Sequence, residues 1–236
     1  MRLGHLTTRG PLVLAPMAKF THSTFRCLCK EFGADLVYTE FVMARDVARG
    51  DKRALGMLRF RPEERPIVGQ ICSADASEAA DAAARVEALG FDAVDLNLDC
   101  QAQRVLALGA GGALHGDLPR LAQMLRAAVR ACRIPFTIKM RSGLDAGHRN
   151  AVEVAKLAED CGVAAVAVHG RTVEQGYKGE ADWNIIRAVK AAVRIPVMGS
   201  GSVRTASDVK AMLAATGCDA VMIARGCLGY PWIFRE

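Results

Sequence analysis

The residues of this sequence that could do chemistry stand at the ends of short apolar runs. Met17, Glu40, Gln70, Asn97 with Cys100 just beyond, Lys139 with Arg141, His169 with Arg171, Ser200 and Arg225 each close such a run. A lone strand-end Gln or His commonly caps an element or satisfies the core. So many in succession point to one shared site. Cys100 ends the segment Asp95-Leu96-Asn97-Leu98-Asp99-Cys100, and a thiol on such a loop can act as nucleophile or general acid. Lys139 has three readings that spacing leaves open: a Schiff-base nucleophile, a charge holding a cofactor, or the partner of a buried acid. Gly199-Ser200-Gly201-Ser202 and Ala224-Arg225-Gly226 are turns suited to gripping phosphate. Backbone N–H groups would face the anion, Gly201 allows close approach, and Arg225 adds a forked charge.

The elements that must position these residues recur regularly. Strand-like runs begin at Leu12, Asp35, Pro66, Ala93, Pro135, Ala164, Ile195 and Asp219, with starts 23, 31, 27, 42, 29, 31 and 24 residues apart. That is about one strand-plus-helix unit each time. The clearest helical pattern runs from Asp75 to Leu89, with Asp75 and Glu78 at capping-box spacing and Gly90 placed to end it. Runs apolar on both faces, each followed by a helix, predict a parallel sheet covered by helices. Eight units predict a closed (β/α)8 TIM barrel in the α/β class, with chemistry at the C-terminal ends of its strands. No GxGxxG follows the first run, which argues against a dinucleotide-binding sheet.

Composition sets outer limits. The chain has 236 residues, 51% hydrophobic and 24% charged, with a formal net charge of +6. It is no collagen, coiled coil or disordered chain, and its basic excess is compatible with a polyanionic partner. The eight cysteines include no CxxC pair, and most are expected to be small buried hydrophobes. Cys27, Cys29, Cys132 and Cys161 fall in helical patterns and need no function. No metal site is expected. With no export-type apolar leader and no long apolar run, a cytoplasmic protein without membrane contact is expected. Arg126, Arg130 and Arg133 are expected to share one solvated helix face.

The ordered motifs resemble those of the flavin-dependent tRNA dihydrouridine synthases, closest to the bacterial B-type subgroup. They are Ala15-Pro16-Met17 with Thr21 and Phe25-Arg26, Tyr38-Thr39-Glu40, Gln70, Asn97-x-x-Cys100, Gly109-Ala110-Gly111 and Lys139-x-Arg141. His169-Gly170-Arg171-Thr172, Gln175-x-x-Lys178-Gly179-x-Ala181-Asp182-Trp183 and Pro231-Trp232-Ile233-Phe234 complete the set. The resemblance implies a single FMN-binding barrel over residues 1–236, lacking the helical domain that follows in the family. It implies FMN along Pro16, Met17 and Ala18, with Gln70, Lys139 and His169 at its polar groups. Ser200, Gly201, Ser202, Ala224 and Arg225 would take its phosphate. It further implies NADPH as reductant, tRNA as partner, a monomer, and Cys100 as proton donor. Asn97, Arg141, Arg171 and Tyr177 would grip the flipped-out uracil.

Departures from the family pattern cluster at the site. Asp99-Cys100-Gln101 replaces Gly-Cys-Pro, which loses a turn glycine and places a carboxylate beside the proposed acid. That charge disfavours thiolate and raises the thiol pKa. Ser200-Gly201-Ser202 replaces Asn-Gly-Asp, and Lys19 and His22 replace a small residue and an acid. Two other classes of function follow from the same residues. One is a lyase using Lys139 as Schiff base. The other is a catalytically silent barrel, its FMN site weakened, that binds RNA or protein.

Overall fold

The computed structural model describes all residues, 1–236. Eight parallel strands close into a barrel: β1 (Leu12–Leu14), β2 (Leu36–Tyr38), β3 (Ile67–Cys72), β4 (Ala93–Leu98), β5 (Phe136–Arg141), β6 (Ala165–His169), β7 (Val197–Ser200) and β8 (Ala220–Ile223). Closure comes from β1, which pairs with β2 on one edge and β8 on the other. A short hairpin, Arg2–Leu3 with Leu6–Thr7, precedes β1. Val42–Met43 adds a two-residue extension beside the end of β3.

Helices α1 (Ser23–Glu31), α2 (Ala76–Ala88), α3 (Leu118–Ala131), α4 (Ala151–Asp160), α5 (Trp183–Ala192) and α6 (Ala206–Thr216) cover the barrel, with short helical pieces between β2 and β3. After β8 the chain makes two 3-10 turns, Arg225–Cys227 and Pro231–Phe234, instead of an α-helix. The second turn packs Trp232 edge-on against Phe32, which covers that side. No helix is long and apolar enough to cross a membrane.

Local sequence explains the helix ends. The Asp75 carboxylate accepts from the Glu78 amide at 2.9 Å and starts α2, and Gly90 follows with φ +86°. Asp117, Asp182 and Thr205 cap α3, α5 and α6 in the same way. Arg126 and Arg130 are exposed on α3, but Arg133 lies past its end and does not share their face. The helix stops at Ala131 because Cys132 is already extended.

The strands read as apolar on both faces, yet the pleat separates two populations. Val94, Leu96, Leu98, Ile138, Met140, Val166 and Val168 point out into the helix-covered core. Val13, Tyr38, Val68, Ala93, Ala165, Ala167, Met198, Ala220 and Met222 form a smaller cluster inside the barrel. Further along β3, β4, β5 and β6 the residues in the same alternation become polar: Gln70, Asp95, Asn97, Thr137, Lys139, Arg141 and His169, all buried. One end of the barrel interior is thus apolar and the other polar.

Candidate active site

Strand register stacks the inward polar side chains in rungs. Gln70 lies beside Asp95, and Asp95 beside Thr137. Asn97 lies beside Lys139, Arg141 beside His169, and His169 beside Ser200. In the lower rung Asp95 accepts from Gln70 Nε2 at 2.8 Å and from Thr137 Oγ1 at 2.6 Å. Burial pushes its carboxyl up to about 6, while those hydrogen bonds and the Lys139 charge pull the other way. Gln70 Oε1 accepts from Asn97 Nδ2 at 3.0 Å, and the Gln70 amide donates to Thr39 Oγ1.

The upper rung is organised by a residue from the loop, Asp99. Lys139 Nζ lies 2.7 Å from Asp99 Oδ2, and Arg141 Nε lies 3.3 Å from Oδ1 and 2.9 Å from the backbone carbonyl. His169 Nδ1 is 3.3 Å from Oδ1. Burial tends to raise the Asp99 pKa, but Lys139, Arg141 and His169 together hold it well below the usual carboxylate range. Burial brings His169 down to about 4, against the pull of Asp99, so its ring is neutral at pH 7. Its Nε2 faces Arg171 Nη1 at 3.3 Å. A carboxylate only accepts and a guanidinium only donates, so the ring carries its proton on Nδ1. Lys139 is here the ion-pair partner of an acid, Asp99.

Asn97 positions the cysteine. Its Oδ1 accepts from the backbone amides of Asp99 at 3.1 Å and Cys100 at 2.8 Å. The Cys100 carbonyl accepts from the Gly112 amide at 2.9 Å. A Cβ at Gly112 would lie 2.6 Å from Val173 and 3.1 Å from that carbonyl, so the close approach requires glycine. Burial raises the Cys100 thiol pKa, with the Asp99 charge adding to it. The lost turn glycine costs no backbone strain, because Asp99 has no left-handed φ. Asn97 and Arg141 both make several hydrogen bonds within the chain. Arg141 Nη1 donates to the carbonyls of Thr172 and Gly176.

The first loop and the turns after β7 and β8 lie at the same end. Pro16 and Met17 are half-buried and Ala18 is exposed, with Met17 tied to Thr21 through both backbone and hydroxyl. Gly201 has φ +108°, and a Cβ there would lie 2.6 Å from Ala181 Cβ and 2.7 Å from His169 Cδ2. Ser202 follows at φ +57°, its hydroxyl accepting from the Ala181 amide and Arg171 Nη2. Trp183 Nε1 donates to the Gly201 carbonyl. Ala224 precedes the 3-10 turn of Arg225, whose guanidinium lies 4.6 Å from the Tyr177 ring centroid. Arg141 approaches the same ring at 5.6 Å. Ser200 is buried at the end of β7. The structure therefore brings every sequence-predicted site residue to the polar end of the barrel, and adds Thr39, Asp95, Thr137 and Asp99.

A family model for dihydrouridine synthase (Dus) matches residues 13–236. The chain belongs to the dihydrouridine synthase family. It is 40% identical over 236 residues to the tRNA-dihydrouridine synthase B of Xanthomonas campestris pv. campestris, covering 100% of this chain and 71% of that protein. To the Yersinia pestis protein of the same description it is 42% identical over 241 residues, covering 100% and 74%. Among solved structures, a 2-naphthoyl-CoA reductase complex superposes with TM-score 0.76 at 13% identity, covering 100% of this chain and 51% of that one. The histamine dehydrogenase of Rhizobium sp. 4-9 gives TM-score 0.71 at 12% identity, covering 99% and 46%. This chain spans about half the length of those two chains, and the likeness is one of fold.

Proposed function

We propose that residues 1–236 form the catalytic barrel of a flavin-dependent tRNA dihydrouridine synthase. The observation that carries this is the set of strand-end residues of a dihydrouridine synthase, converging on one barrel mouth beside a loop-borne thiol. The site suits FMN on chemical grounds. Lys139, Arg141 and His169 turn their N–H groups toward one point, filled here by the Asp99 carboxylate, and the acceptor edge of a flavin has the chemistry that these donors would hold. The turns at Ser200-Gly201-Ser202 and Ala224-Arg225, with Arg171 beside them, suit its phosphate. When bound, FMN supplies the hydride that reduces the C5=C6 bond of uridine, with NADPH as the source of its electrons.

The chain's own residues complete the addition. Hydride arriving at C6 leaves an enolate-like anion with its negative charge at C5. The Cys100 thiol, kept protonated by burial, gives C5 its proton as the S–H bond breaks. The thiolate is reprotonated from solvent, since Cys100 is only partly buried. Asn97 fixes the loop that carries the thiol, and Arg141 fixes the Asp99 end of that loop. Tyr177, exposed with two guanidinium groups near its ring, together with Arg171, offers a surface for a base drawn out of its stack. A Schiff-base reaction is disfavoured, because the Lys139 amine is engaged by Asp99 at 2.7 Å. The test is the visible absorption spectrum of the chain after FMN is added. A bound flavin band that bleaches with NADPH, followed by dihydrouridine formation in tRNA, is expected. A chain with no FMN affinity refutes the reading.

A further inference from the structure

Lys139, Arg141 and His169 are side chains of two neighbouring strands, each side chain under one-tenth exposed, and all three address a single carboxylate. That carboxylate belongs to neither strand. It is carried by the loop residue Asp99, whose side chain is 18% exposed. The rigid part of the arrangement is therefore the donor set, and the acceptor is the part able to leave. The backbone of the loop does not depend on the Asp99 side chain, because the Asp99 and Cys100 amides are held by Asn97 Oδ1.

We infer that Asp99 is a tethered occupant of an acceptor pocket formed by Lys139, Arg141 and His169, and that it competes with the acceptor edge of the flavin for those donors. The inference rests on the flavin reading above and adds a residue that sets cofactor affinity. A ligand that binds only when the tethered group has left is weakened by the fraction of time the pocket stands open. The tether also gives the carboxylate a local concentration that no free anion in solution matches. If the pocket is open a tenth of the time, apparent affinity drops about tenfold. Nothing covalent changes, and the competition is one of hydrogen bonds and charge alone.

The experiment titrates FMN into the wild-type chain, Asp99→Asn and Asp99→Gly, following flavin fluorescence. In parallel it measures thermal unfolding of each with added formate, and with chloride at equal ionic strength. Asp99→Asn keeps the side-chain shape and Asp99→Gly empties the pocket. Both are expected to bind FMN at least about tenfold more tightly than wild type. Formate is expected to raise the melting temperature of Asp99→Gly, with chloride and the wild-type chain showing no such rise. FMN affinity unchanged or weaker in Asp99→Gly overturns the inference, since Asp99 then does not compete with the cofactor. If no chain binds FMN, the flavin reading itself has failed and the formate arm decides. A formate-specific rise in Asp99→Gly upholds the acceptor pocket, and its absence overturns it. Should Asp99→Gly not fold, the Asp99→Asn titration decides alone.

Discussion

Deleting the carboxylate of Glu64 should unfold this protein far more readily than its distance from the barrel mouth suggests. Glu64 and Arg26 are essentially inaccessible, with Nε and Oε2 2.5 Å apart. The other carboxylate oxygen accepts from Ser23 Oγ at 2.5 Å and the Arg61 amide at 2.9 Å. Arg26 also donates to the carbonyls of Thr21 at 2.5 Å and Arg59 at 3.0 Å. In Glu64→Ala the guanidinium stays buried with carbonyls alone, and a hydroxyl and an amide lose their acceptor. Breaking one side of a buried pair costs about 3–5 kcal/mol. At roughly 2–4 °C per kcal/mol for a domain of this size, the melting temperature should fall by about 6–20 °C. The double variant Arg26→Met with Glu64→Leu should recover the part of that loss that comes from the unpaired charge, while the Ser23 hydroxyl and the Arg61 amide stay without their acceptor. Calorimetry on the wild-type chain, Arg26→Met, Glu64→Leu and the double variant measures the cycle, with Glu64→Ala alongside. A loss below about 1 kcal/mol in Glu64→Ala, the scale of an exposed pair, would refute the reasoning. So would a double variant no more stable than the worse single one. Arg26 also holds Thr21, which clamps Met17, so amide exchange at Met17 should quicken in Glu64→Ala.

Three further outcomes are expected. Cys100→Ala should keep FMN and NADPH-driven flavin reduction while dihydrouridine formation falls about 10²–10⁴-fold; an unchanged yield in a tRNA assay would remove the thiol from the mechanism. His169 ionises near 4 in the fold, below its usual 6.5, so the unfolded chain binds more protons between those values. Its contribution is present above pH 6.5 and lost as pH falls toward 4. Asp95, raised to about 6 by burial, acts in the opposite sense, adding stability as pH falls from 6 toward 4. The two oppose each other in wild type, so the urea midpoint of His169→Gln should rise relative to wild type as pH falls from 6 toward 4, and a wild-type-like profile would contradict the assignment. Gly201→Ala forces a Cβ to within 2.7 Å of His169 and a side chain into φ +108°. It should cost at least about 1–3 kcal/mol in stability and weaken FMN binding in a fluorescence titration.

The barrel was legible because its strands are short and apolar and most are followed by a helix, and because Asp75 and Gly90 mark one helix at both ends. The polar mouth was legible too, since Gln70, Asn97, Lys139 and His169 close their runs in sequence order. Read as wholly apolar, the same strands concealed their alternation: Asp-Leu-Asn-Leu and Thr-Ile-Lys-Met-Arg place every second residue inside. Asp99 was visible as a neighbour of Cys100 but not as the centre of the site. Its partners lie 40, 42 and 70 residues away, and no local spacing encodes which of several mouth residues they choose. Arg26 with Glu64 was hidden for the same reason, since a buried pair 38 residues apart looks in sequence like two surface charges. Arg133 was misplaced because helical spacing was carried past the residue where the backbone turns extended.

The seam of the barrel lies between its first and last strands. β1 completes one edge with β2 as soon as both exist, but its other edge waits for β8, more than two hundred residues further along the chain. Contacts between such distant segments form slowly, because a long loop must be closed before any hydrogen bond rewards it. Until then β1 presents an open row of amides and carbonyls, the kind of edge that pairs with the wrong partner. The mouth has no fixed diameter before the seam shuts. A nascent chain that has not yet produced Ala220 already contains Gln70, Asp99, Cys100, Lys139 and His169, and still holds them at no defined distance from one another.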